Sequence, residues 1–106
     1  MQLVLVIDRD HIIRAGLVRL VAELGPPLAA VARDSLADLR RSAAGLHDVI
    51  VLVDSDTAEG AAARSELGGS CRVLEVPVRR SASGVRRLAR GRKLSELIAT
   101  LRERRA

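Results

Sequence analysis

The sequence contains no phenylalanine, tyrosine or tryptophan. Their absence weighs against the commonest ways of holding single-stranded nucleic acid, which stack bases on such rings. Its core has to be built from Val, Ile, Leu and Ala. There is one cysteine, Cys71, so no internal disulfide can form. A small core residue in a reducing compartment is the expectation for it. No apolar run approaches the ~18 residues of a membrane span. The first apolar stretch has no basic segment before it, so no signal peptide is expected and a cytoplasmic location is. Lysine is nearly absent as well: Lys93 stands alone among 18 basic residues. Arginine in its place, beside abundant Ala, Gly and Leu, is what a GC-rich genome imposes on codon choice. The net charge of +5 permits a nucleic acid or an acidic partner without demanding either.

What remains, 106 residues with 48% hydrophobic content, is enough for one core and is read as a single domain over 1–106. Leu3 to Ile7 is an unbroken β-favouring run that stops at Asp8-Arg9-Asp10, as a strand buried on both faces would. From His11 to Leu24 the apolar period changes. Ile12, Ile13, Leu17, Leu20, Val21 and Leu24 form a helical stripe, with Asp10 as N-cap and Gly25-Pro26-Pro27 as the stop. Leu28 to Ala32 is a short strand. Asp34 or Ser35 then starts a second helix through about Ala44. Val49 to Val53 is the clearest strand and ends at Asp54-Ser55-Asp56. A helix over Thr57 to Leu67 follows, then a strand over Arg72 to Val76 stopped by Pro77. The stretch from Arg79 to Arg92 is ambiguous, with a short fifth strand expected near 85–88. Leu94 to Arg104 is a last helix with Leu94, Leu97, Ile98 and Leu101 as its stripe. Strands alternating with helices predict βαβ units, a parallel sheet and helices on both faces. Functional residues of such sheets gather beyond the carboxyl ends of the strands. Asp8 with Asp10, and Asp54 with Asp56, both fall there.

The segment Leu5-Val6-Ile7-Asp8-Arg9-Asp10-His11 through Arg14-Ala15-Gly16-Leu17 resembles the opening of response-regulator receiver domains of the NarL/LuxR type. Asp48-Val49-Ile50-Val51-Leu52-Val53-Asp54 resembles that family's third strand. Ser95-Glu96-Leu97-Ile98-Ala99-Thr100-Leu101-Arg102 resembles its last helix. The resemblance implies a flavodoxin-like receiver fold, a doubly wound parallel five-stranded sheet, here with a shortened or missing fourth helix. It also implies a pocket in which two acids hold a divalent cation beside a phosphoacceptor aspartate. Asp8 matches the first acid and Asp54 the phosphoacceptor, with Asp10 and Asp56 completing the acidic pocket. The second acid falls on Arg9, which puts a fixed positive charge where the metal would be and is expected to block the pocket by pairing with Asp8 or Asp54. The hydroxyl position falls near Val76-Pro77, which has no donor. The switch lysine falls near Arg90, with Arg86 or Arg87 as alternatives.

This pattern predicts an atypical receiver, not an enzyme, acting in signal transduction and transcription regulation through protein–protein contacts and independently of phosphorylation. No cofactor is expected; Mg2+ is the ion a complete pocket would take. A homodimer is expected through the first helix, where Val18 lies off the main stripe, and the last helix at Leu101. An effector or DNA-binding domain would lie outside this chain, and nucleic-acid contact through the Arg-rich tail is not favoured. Two other classes compete. Asp54-Ser55-Asp56 followed by Gly60 resembles the acid pair of Toprim metal-dependent nucleic-acid enzymes, although the glycine falls one residue late. A small-ligand sensor using the former phosphate pocket is the third.

Overall fold

The computed structural model describes residues 2–38 and 48–103. Its elements are β1 (Gln2–Ile7), α1 (His11–Leu24), β2 (Leu28–Arg33), a single 3-10 turn (Leu36–Asp38), β3 (Ile50–Val53), α2 (Ala58–Leu67), β4 (Arg72–Glu75), β5 (Val78–Arg80), β6 (Arg86–Leu88) and α3 (Arg92–Arg102). Four strands form a parallel sheet in the order β2-β1-β3-β4. The chain is therefore an α/β protein with β1 and β3 at the centre.

The central strands are apolar on both faces because both faces are covered. Leu5, Ile7, Val51 and Val53 point into one layer with Ala63 and Leu67 of α2 and with Cys71. Val4, Val6 and Leu52 point into the other, against Ile13, Leu17 and Val21 of α1 and Leu97 and Leu101 of α3. Full burial of each such side chain is worth about 1.5–3 kcal/mol, so these two layers supply most of the driving force for folding. α1 begins where Asp10 accepts from the amides of Ile12 and Ile13. It ends at Gly25, whose φ of 73° favours glycine.

One expectation needs correction. The fifth strand forms, at Arg86–Leu88, but it does not join the parallel sheet. It pairs antiparallel with β5, with Val78 opposite Leu88, Arg79 opposite Arg87 and Arg80 opposite Arg86. Only residues 76–85 separate β4 from β6, short of the dozen or so that a parallel crossover needs. The chain instead turns back on itself, and this hairpin stands where the shortened or missing fourth helix was expected. Of the helix expected from Asp34 or Ser35 to Ala44, the 3-10 turn over Leu36–Asp38 is present and the remainder lies outside the described residues. No helix among the described residues is long and apolar enough to cross a membrane.

Candidate functional site

β1 and β3 are hydrogen-bonded neighbours, with Ile7 level with Val53. The next residue of each strand is an aspartate, so Asp8 and Asp54 emerge side by side at the carboxyl end of the sheet. Both are buried, at 2% and 5% exposure. Two carboxylates this close and this dry repel each other and lose hydration, and they need a counter-charge.

Arg86 supplies it. Its Nη1 and Nη2 donate to Oδ1 and Oδ2 of Asp8, each at 2.8 Å, as a two-pronged fork. Nη2 also donates to Oδ2 of Asp54 at 2.8 Å. One guanidinium thus ties the two aspartates together, with Asp10 Oδ2 a further 4.0 Å away. The planar fork suits this task in a way that a lysine ammonium would not. The hydrogen bonds to Asp8 bind the Arg86 proton far more tightly than in water; Asp54 adds to this and burial opposes it. The arginine is charged at every accessible pH. Its Nε is buried with no hydrogen-bond partner among the described residues, so the side chain is placed by its two terminal nitrogens alone.

Neighbouring groups hold the carboxylates in place. Asp8 Oδ1 accepts from the Asp10 amide at 2.9 Å, and Asp54 Oδ1 accepts from the Asp56 amide at 3.0 Å. Arg14 of α1 donates to the carbonyls of Asp8 and Arg9. Thr57 caps α2, its hydroxyl donating to the Asp54 carbonyl at 2.7 Å and accepting from the Gly60 amide at 2.9 Å. Gly60 is buried against that carbonyl; a Cβ there would lie 2.6 Å from the Asp54 carbonyl carbon. The glycine is thus explained by close packing of the helix start on the strand end. On the outer side, Glu75 accepts from the Ser55 amide and hydroxyl and from Arg64, which pins the loop after β3 to β4.

The structure places the sequence candidates unevenly. Asp8 and Asp54 are brought together, and Asp10 lies at the edge of the same cluster while its Oδ1 caps α1. Asp56 is exposed and turned away from Arg86. It lines a neighbouring cleft of about 690 Å3 together with Val76, Arg79, Lys93 and Leu97. The pocket cation is not Arg9: its side chain is 77% exposed and pairs with Glu59 at 2.7 Å. Arg9 follows directly after buried Asp8 at a strand end, and the backbone alternation that buries Asp8 turns Arg9 outward. The cation at the switch-lysine side of the pocket is likewise not Arg90, which is exposed, but Arg86, four residues earlier on β6. Leu101 is 3% exposed and belongs to the core, so it cannot be a dimer surface. Val18 is half-buried, and the exposed apolar residue of α1 is Ile12, at 65%.

The role of Arg86 was legible in outline. Val78-x-Arg80 and Arg86-x-Leu88 flank Ser81-Ala82-Ser83-Gly84-Val85, a glycine-containing connection of hairpin length. With Leu88 facing the core, period-two alternation sends Arg86 the same way. Comparison with protein-family models, with curated proteins and with solved structures returns no match.

Proposed function

We propose that the chain is an atypical receiver-like signalling module that works without phosphorylation, through protein–protein contacts, in signal transduction and transcription regulation. The observation that carries this reading is the Arg86 fork between Asp8 and Asp54. The strand order β2-β1-β3-β4 is that of the first four strands of flavodoxin-like sheets, whose ligand crevice lies between the ends of β1 and β3. That crevice is where a receiver would hold its cation and accept phosphate. Here a tethered guanidinium takes the position of the cation, and Asp54 Oδ2 is committed to it. A phosphoryl donor would have to displace the fork and expose two buried carboxylates to each other. The pocket is in this reading a permanent structural tie that keeps the module in one state, and its regulation comes from partner binding.

The reading includes a phosphate-independent homodimer through α1, on which Ile12 presents an exposed apolar side chain beside half-buried Val18. Sedimentation across a concentration series tests this part. A monomer at about 100 μM excludes a dimer with a dissociation constant near ~1 μM, about −8 kcal/mol. If a dimer forms, Ile12→Glu weakens it.

Incubation with acetyl phosphate and Mg2+, followed by intact-mass spectrometry, tests the pocket. The expected result is no phosphoryl adduct on the wild-type chain. A stoichiometric, magnesium-dependent adduct that disappears in Asp54→Asn overturns the reading and returns the chain to ordinary phosphorylation.

A further inference from the structure

Most arginines of the described chain have a place for their charge. Arg9, Arg19, Arg64 and Arg72 are matched to Glu59, Glu23, Glu75 and Glu103 at 2.7–3.6 Å. Arg14 and Arg33 donate to backbone carbonyls. Arg102 lies in the last turn of α3, where the helix dipole favours a cation. The β5–β6 hairpin breaks this pattern. Val78 and Leu88 stand opposite each other and pack into the core, so alternation turns Arg79 and Arg87 outward. These two are also directly opposite each other, both exposed, and neither meets an acid or a carbonyl among the described residues. Like charges facing each other across two strands destabilise the pairing. Arg80 and Arg90, exposed and equally without such partners, add to the same edge.

Codon bias explains why a cation here is arginine, but not why the unmatched ones collect on one ribbon. A local conflict with no compensating contact inside the fold points to a compensating contact outside it. Four acids line the adjoining cleft, and Asp54 among them is held by Arg86. Of these, Glu75 is engaged by Arg64 and Glu96 by Arg92, which leaves Asp56 alone against the hairpin's charges.

We infer that the β5–β6 hairpin, with Arg79 and Arg87 on its outer face and exposed Arg80 and Arg90 at its ends, docks on the phosphate backbone of duplex nucleic acid. The duplex carries one negative charge per ~1.7 Å of its axis, and guanidinium forks match phosphate geometry. The groove of a duplex also admits a two-stranded β-ribbon. Single strands fit less well, because the chain has no Phe, Tyr or Trp on which a base could stack. The contact is to backbone and carries no sequence preference. This inference does not rest on the pocket reading; the hairpin's outer face and the Arg86 pocket are tested by separate measurements.

Fluorescence anisotropy with a short labelled duplex of random sequence tests it. Binding is expected in the range of about 10⁻⁶–10⁻⁴ M at physiological salt, and tighter at low salt. Four phosphate contacts give a log–log salt slope of about −3.6, or about a hundredfold weakening between about 50 and about 200 mM salt. The double substitution Arg79→Ala with Arg87→Ala, which relieves a repulsion and so leaves the fold intact by circular dichroism, should halve that slope to about −1.8. Arg19→Ala, on the far end of α1, should leave it unchanged. No binding at about 100 μM protein at low salt, binding indifferent to the double substitution, or equal or tighter binding to single strands overturns the inference. Equal or tighter binding to poly-glutamate overturns it too, and assigns the face to an acidic protein.

Discussion

Replacing Arg86 by alanine removes the one cation among the described residues that lies between Asp8 and Asp54. The side chains of the three residues are 12%, 2% and 7% exposed, so solvent screens the cluster little. The substitution leaves two buried carboxylates facing each other with only the amides of Asp10 and Asp56 as donors. Breaking a buried ion pair from one side costs about 3–5 kcal/mol. Removing the buried, unpartnered Nε recovers part of this, at about 1–3 kcal/mol for such a group. The net loss should be about 2 kcal/mol, a large part of the ~5–15 kcal/mol typical of a domain. Urea unfolding followed by circular dichroism reads it directly, as a lowered midpoint at unchanged slope. The Asp54→Asn substitution made in the Arg86→Ala background should recover about 1 kcal/mol or more, because it removes one of the two stranded charges. A loss below about 0.5 kcal/mol for Arg86→Ala, the range of ordinary surface changes, would refute the reasoning.

The remaining expectations concern the frame around the tie. Gly60→Ala should cost about 3 kcal/mol in the same unfolding assay, since the added methyl meets the Asp54 backbone, which has no flexible end to move aside. Asp10→Ala should cost about 1 kcal/mol through loss of the α1 cap, read as a lower urea midpoint. Arg9→Ala should cost about 1–3 kcal/mol, because Arg9 is exposed but its partner Glu59, with a side chain only 11% exposed, is left as a largely buried acceptor without its donor. Arg86 has its proton affinity raised in the folded state. Its contribution is therefore fully present below the ordinary arginine value and is lost only above the still higher folded value. The stability difference between wild type and Arg86→Ala should accordingly stay flat from neutral to moderately alkaline pH, and urea titrations at several pH values check this.

The parallel core was legible because its signals are strong and local. The runs Leu3–Ile7 and Val49–Val53 are β-branched, uninterrupted and bounded by aspartates, and the stripe from Ile13 to Val21 is helical. Those same features place Asp8 and Asp54 at adjacent strand ends, so the acidic half of the site followed from the order of elements. The basic half did not. Arg9 is next to Asp8 in sequence, yet adjacency on an extended backbone puts neighbours on opposite sides. Arg86 is distant in sequence and sits in a segment of three-residue strands rich in arginine, where hydrophobic periodicity barely exists. A connection of receiver type would have placed the cation near Arg90. The shorter chain between β4 and β6 folds into a hairpin, and this moves the reaching arginine to Arg86. The stripe of α3 shows a similar limit: Leu97 and Leu101 are apolar because they belong to the core, and an apolar position alone does not say whether its partner is the same chain or another.

Arg86 holds Asp8 and Asp54 together. Arginine side-chain NMR tests it most directly. One guanidinium should show separate, slowly exchanging Nη protons, unmoved by millimolar Mg2+ and collapsing to the averaged signal of a free arginine in Asp8→Asn with Asp54→Asn. An Arg86 signal already averaged in the wild-type chain, with Mg2+ shifting the amides of Asp8 and Asp54, would contradict it.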